Sequence, residues 1–279
     1  MLSIFIGLKK EKKVLKSYLF KKQVQGDPMK NLEKKKNKGL KLNFTILILF
    51  AIHLFSILIA FKKKDFQTNE YPLARILDSY LAISLFFNPI ALSSLVKKVI
   101  EIEEKNNMWQ MQISLGLKVQ KILLDKIKNL SIKVFLLQII EWLIIIFLAS
   151  KNINFELDVE IIKRIIIYFL TTLSINISML LIFTIIEIKS KKIYFSLFFS
   201  IVGAMSGIIT MLTSKILSQI NPFGLLATIL NINYVKEGQV YTQTMNNINY
   251  ITLLISLIYI IISLIYITRV NKFTLTKDI

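Results

Sequence analysis

The feature that most constrains this chain is the packaging of its apolar residues, which fall into blocks of about 20 with lysine-rich patches between them. A helix rises 1.5 Å per residue, so a block of that length crosses the roughly 30 Å of hydrocarbon in a bilayer. Six blocks qualify: Leu42 to Phe61, Ile76 to Val96, Leu130 to Ala149, Ile165 to Ile186, Ile193 to Leu212 and Tyr250 to Thr268. Backbone groups in hydrocarbon have to bond within their own segment, so isolated apolar runs of this kind are read as helices. The expected fold is an all-α membrane protein with six transmembrane helices. Composition agrees, with 54% hydrophobic and 19% charged residues, and only 8 Gly and 4 Pro, too few for a collagen-like or disordered chain.

Charge supplies the orientation. Thirty-six basic residues against 17 acidic ones give a net charge of +19. On a soluble face such an excess would suggest nucleic acid, but here the lysines flank apolar blocks, so the expected partner is a membrane surface and not nucleic acid. Counted over alternate connections, one side of the membrane holds 27 of the lysines and arginines and the other 9. The retained positive charge marks the cytoplasmic side, which makes this a multi-pass chain of the cell membrane with both termini in the cytoplasm, although Lys62 to Lys64 oppose that locally. The division expected is a basic segment 1–41, a six-helix membrane domain 42–268 and a tail 269–279. No connection exceeds about 35 residues, well short of an independent soluble domain.

The segment before the first span has two readings. Ile4, Phe5, Leu8, Leu15 and Leu19 alternate with lysines, which suits a basic amphipathic helix on an anionic leaflet. Alternatively, Gln25, Gly26 and Asp27 can be encoded by a purine-rich ribosome-binding sequence ahead of Met29, so that translation starts at Met29 and residues 1–28 are not native. A terminal peptide mapping before Met29 would end that hypothesis. No short apolar core with a small-residue cleavage site makes it a secretory signal.

Little in the chain could carry catalysis. With no cysteine and one histidine, thiolate chemistry and a multi-histidine zinc site are absent. The phosphate loop GxxxxGK[ST], GxGxxG, HExxH and GxSxG are missing too, so nucleotide hydrolysis would have to come from another chain and no cofactor is expected on this one. Asp78 and Glu141 are carboxylates inside spans, a weak acid–base pair on different helices. His53 and Glu141 fall near the middle of spans one and three, at similar depth. They could line a translocation path or bridge to each other, or His53 could simply hold two helices together by a hydrogen bond worth about 0.6–2 kcal/mol. Asp78, near an end of span two, reads equally as a cap or a ligand contact. Pro89 should kink span two, with Asn88, Ser84, Ser93 or Ser94 satisfying the freed carbonyl. Gly203 and Gly207 form a GxxxG in span five that permits close packing, most simply within the subunit. Residues 218–249 hold an apolar run, Leu225 to Leu230, too short to span and read as a re-entrant or interfacial helix on the outer face or as a plain helix in a loop.

The connection between spans two and three is the most informative. Asn107 can cap a helix and Gly116 can end it in the left-handed conformation, leaving about two turns from Met108 to Leu115. Met108, Met111 and Leu115 share one face, with Trp109 and Ile113 beside it, and Glu101, Glu103 and Glu104 precede them. Such a helix is either a knob for docking another protein, presenting methionines and tryptophan, or a helix lying flat at the membrane.

In this connection the sequence resembles the permease subunits of ATP-binding-cassette (ABC) transporters, specifically the lantibiotic-immunity kind. Glu101, Glu103, Glu104, Lys105, Asn106, Asn107 and Trp109 match the family's acidic, basic, Asn and Trp pattern, followed by Lys118, Lys121 and Lys126 at the entry to the next span. Asn88-Pro89 and Asn221-Pro222-Phe223 also look like family features. The resemblance covers Leu42 to the tail. It implies a subunit paired with a second permease or a copy of itself, above cytoplasmic ATPase subunits that bind ATP and Mg. The Met108–Leu115 helix would be the coupling helix seated in the ATPase. ATPase closure would tilt spans one, two and five and expel an amphipathic peptide antibiotic from the membrane lipid. Rival readings are a permease for a drug, a lipid or the cell's own peptide and, in another class, a membrane-embedded enzyme using Glu141 and His53.

Overall fold

A computed structural model describes residues 41–270 except 64, 65, 68, 106, 107, 115, 191–193, 238 and 239. The expectations for the basic N-terminal segment, the Met29 start, the Asn107 cap and the tail beyond residue 270 lie outside the described residues. Packing divides the chain into two units, Met1–Leu42 and Asn43–Ile279, and the helical bundle belongs to the second.

Among the described residues, six helices are long and apolar enough to cross a membrane: α1 Leu42–Lys62, α2 Pro72–Lys105, α4 Val119–Ala149, α5 Val159–Ser190, α6 Phe195–Thr213 and α8 Tyr250–Thr268. Their order and number are those read from the sequence, but three run further. The 34 residues of α2 make a rod about 50 Å long, well beyond the hydrocarbon. Hydropathy marks only the stretch that lipid demands, whereas a helix continues for as long as one face can be buried. Beyond the apolar block, α2 buries Val99, Ile100 and Glu103, and α4 begins with Val119, Ile122, Leu123, Lys126 and Ile127 turned inward. That spacing of three and four places them on one stripe, so the two extensions pack against each other past the bilayer.

Helix boundaries follow local chemistry. Pro72 opens α2, where its missing N–H costs nothing. Asp158 accepts the backbone N–H of Ile161 at 2.7 Å to cap α5, and Asn249 accepts from Thr252 to cap α8. A short helix, α3 Met108–Ser114, lies between α2 and α4, and Gly116 follows it at φ +82° as expected.

α2 and α5 form the centre of the bundle, with 56% of each span buried, whereas α8, α1 and α6 bury 22–28% and turn Leu254, Phe55 and Phe198 outward. Those outward faces are the ones a bilayer would cover. Pro89 lies inside α2, whose helix continues on both sides of it. Among the described residues Asn88 and Ser84 bond to Asn176 and His53, Ser93 Oγ has no hydrogen-bond partner, and none of these three is seen to satisfy the freed carbonyl as expected.

Between α6 and α8, where a re-entrant or an interfacial helix was expected, the structure corrects the interfacial alternative. After α7, Lys215–Ile220, comes a 3-10 turn, Leu225–Ile229, then an antiparallel hairpin of β1 Ile232–Glu237 and β2 Val240–Met245 in the register Ile232 opposite Met245. Leu225, Leu226 and Ile229 are buried in the bundle instead of lying at an interface. Gly203 and Gly207 make the groove that receives this segment: a Cβ at 203 would lie 2.9 Å from the Phe223 ring, and one at 207 would lie 2.5 Å from the Phe223 carbonyl oxygen. The GxxxG is thus used within the subunit, with a loop as its partner.

Candidate functional site

Of the buried polar assemblies among the described residues, two tie several helices together, one in the middle of the spans and one where α2 and α4 leave them. In the first, Tyr80, Ser84 and Asn88 recur every four residues on α2, so their side chains stack on one face. They meet His53 of α1, Gln138 and Glu141 of α4, and Thr172 and Asn176 of α5. His53 Nδ1 is 2.7 Å from Glu141 Oε1, Tyr80 donates its hydroxyl to Glu141 Oε2 at 3.0 Å, and Ser84 Oγ lies 3.2 Å from His53 Nε2. The His53 and Tyr80 rings meet edge to face at 5.0 Å.

The chain of bonds continues across the bundle. Asn88 donates to Asn176 at 3.0 Å, Asn176 donates to Gln138 at 3.4 Å, and Gln138 donates to Thr172 at 2.6 Å and to the Phe169 carbonyl at 2.8 Å. All eight side chains are buried, as hydrocarbon requires of polar groups that have found partners. Asn88 Oδ1 has no hydrogen-bond partner among the described residues. A cavity of about 10 Å³ lies among His53, Asn88, Gln138, Glu141 and Asn176, room for a single water.

Of the residues expected on a path, the structure brings His53, Asn88 and Glu141 together and sets the other two apart. Asp78 instead accepts from Asn231 N at 2.7 Å, from Asn231 Nδ2 at 2.8 Å and from Ile232 N at 2.8 Å, which makes it the anchor of the hairpin. Arg164 Nη1 donates to the other end of the Asn231 amide at 3.2 Å. Of the two readings of Asp78, a structural cap and a ligand contact, this is the cap. Pro89 sits beside Asn88 in sequence but does not line the cavity. Sequence reasoning overlooked Tyr80, Gln138, Thr172 and Asn176 and gave Ser84 a different partner, although the spacing of three or four within apolar blocks was a readable signal.

The second assembly holds α3. Glu103 is fully buried near the end of α2, with Oε1 2.8 Å from Lys126 Nζ of α4 and Oε2 accepting from Gln112 Nε2 of α3 at 2.8 Å. One carboxylate therefore joins three helices. Trp109 is buried beside Gln112 on the inner face of α3, while Met111 is 55% exposed on the outer face and Met108 is half-buried. This corrects the expectation of a knob that presents its tryptophan. The spacing of three between Trp109 and Gln112 puts both on one side, and the bonded Glu103 draws that side inward. Glu101 is half-buried and Glu104 is exposed, so the three acids do not form one surface cluster. Lys105 ends α2.

Fold and sites together define a multi-pass membrane protein with six spans, a polar network at mid-depth and a short helix fixed by a buried ion pair at one end. Comparison with family models, curated proteins and solved structures returned no match.

Proposed function

We propose that this chain is the permease subunit of an ATP-driven exporter of the ATP-binding-cassette kind, which expels a lantibiotic-like peptide from the membrane of the cell that makes it. The observation that carries this reading is the attachment of α3. Through Glu103, the short helix between spans two and three is bonded to α2 and α4 at once. A push on its exposed outer face is therefore delivered to two long spans and not dissipated in a loop. A subunit driven by an ATPase on another chain needs that stiffness. The chain itself lacks a phosphate-binding loop, so ATP and Mg would sit on the partner ATPase. In this reading α3 and both termini face the cytoplasm, and a second permease or another copy of this chain completes the pathway.

The membrane-enzyme reading draws less support. His53 and Glu141 do meet, but the cavity beside them, about 10 Å³, has no room for an organic substrate. Exporters of other amphipathic cargo fit the fold equally, and the cargo is what the test addresses. In the native cell, Met111→Glu changes only an exposed residue, so the chain should reach the membrane at its normal level. Tolerance of the lantibiotic-like peptide is expected to fall to that of a strain lacking the chain. Unchanged tolerance at equal membrane levels would remove α3 from the mechanism. If deleting the whole chain left tolerance untouched, the cargo assignment would fall.

A further inference from the structure

We propose that His53, Glu141 and Ser84 form a proton-binding site at the middle of the spans, and that occupancy of this site sets how firmly α1 is held against the bundle. The bonding pattern allows the site two states without moving a heavy atom. Glu141 accepts at both oxygens, from the imidazole at 2.7 Å and from Tyr80 at 3.0 Å, the pattern of a carboxylate. Both imidazole nitrogens are engaged, and the partner of Nε2 is a hydroxyl, which can donate or accept. With the proton bound, Nδ1–H donates to Glu141, Nε2–H donates to Ser84 Oγ, and the pair is neutral overall. With the proton lost from Nε2 to water, the Ser84 hydroxyl turns and donates to the bare nitrogen. The bonds joining His53 to Glu141 and to Ser84 both survive, but the site now carries one negative charge.

That charge is what links the proton to α1. His53, Tyr80, Ser84 and Glu141 are each 1% exposed, so the deprotonated site holds an uncompensated charge in a medium that resists one. Drawing α1 away admits water and lowers that cost. α1 is suited to such movement because only 28% of its span is buried, and polar pairs fasten it along its length. Ser56 and Ser79 exchange hydroxyl-to-carbonyl bonds at 2.7 and 3.2 Å, and Lys98 and Lys133 donate to Thr45 and Asn43 at 2.5 Å. The only other titratable side chain lining the cavity among the described residues is Tyr80, from α2; α4 adds the neutral Gln138 and α5 the neutral Asn176.

The proton site does not depend on an ATPase partner and can be tested separately. The chain has one histidine and no cysteine, so 15N-histidine NMR reports His53 alone and introduced cysteines have no background. In lipid nanodiscs taken from about pH 5 to about pH 9, the range over which histidines commonly change charge, the ring nitrogens are expected to show a single-proton transition. Its midpoint should move in Glu141→Gln. Spin labels at Phe55→Cys and Leu143→Cys, both on outward-facing positions, should move apart as the site loses its proton in the otherwise native chain and, in Glu141→Gln, where the protonated site is the charged one, should change in the opposite sense. Ring signals that hold constant across the range, a midpoint indifferent to Glu141, or a label separation independent of pH would each overturn the proposal. Should Glu141→Gln not fold, the signals of the native chain and its label pair still decide it.

Discussion

Glu103 and Lys126 are 2.8 Å apart with side chains 0% and 5% exposed, so replacing either one alone leaves the other's charge buried. Glu103→Ala or Lys126→Ala is expected to cost about 3–5 kcal/mol, read as a fall in the thermal midpoint of the purified protein. The paired change Glu103→Met with Lys126→Leu should recover part of that loss, because it removes both buried charges while Gln112 still loses its acceptor. At the two glycines the sterics differ in kind. Gly207→Ala drives a methyl into the Phe223 backbone, whereas Gly203→Ala meets only the ring. Each should cost about 1–3 kcal/mol, but Phe223→Leu should relieve Gly203→Ala and leave Gly207→Ala uncorrected when thermal midpoints are compared. At this scale the sequence was partly legible. The meeting of His53 and Glu141 was one of the readings that their similar depth allowed, since two polar groups in hydrocarbon seek each other. The inward turn of Trp109 did not, because it depends on where Glu103 bonds.

Among the elements, the spans were readable and their extensions were not. Lipid imposes a length on an apolar run, so the six blocks announced themselves, whereas the continuation of α2 to Lys105 depends on α4 being alongside to bury Val99 and Ile100. The hairpin is a similar case. A glycine at 238, flanked by runs with alternating β-branched and aromatic residues, was its signal, obscured by the polar character of the whole stretch. Its anchor is testable. Asp78→Ala removes an acceptor that serves three N–H groups of Asn231 and Ile232. Limited proteolysis within 232–245 should accelerate several-fold while the helix content measured by circular dichroism stays constant. Equal cleavage rates in the two proteins would show that the hairpin is held by something else.

For the whole molecule, the three spans α4, α5 and α6 lie between α3 and the hairpin and so place them at opposite ends of the bundle, and the proposed orientation puts α3 on the cytoplasmic side. Because the chain has no cysteine, Met111→Cys and Asn233→Cys can report on this from intact cells. A membrane-impermeant maleimide should label Asn233→Cys at once and Met111→Cys only after permeabilisation. The reverse pattern would invert the bundle. The exporter reading rests above all on a separate ATPase gripping the outer face of α3, and a photo-crosslinking amino acid at Met111 in the native cell probes that grip directly. The expected result is a single zero-length adduct to a soluble ATPase, lost when the crosslinker is moved to the lipid-facing Leu143. An adduct to lipid alone from Met111, or to a protein without ATPase activity, would contradict it.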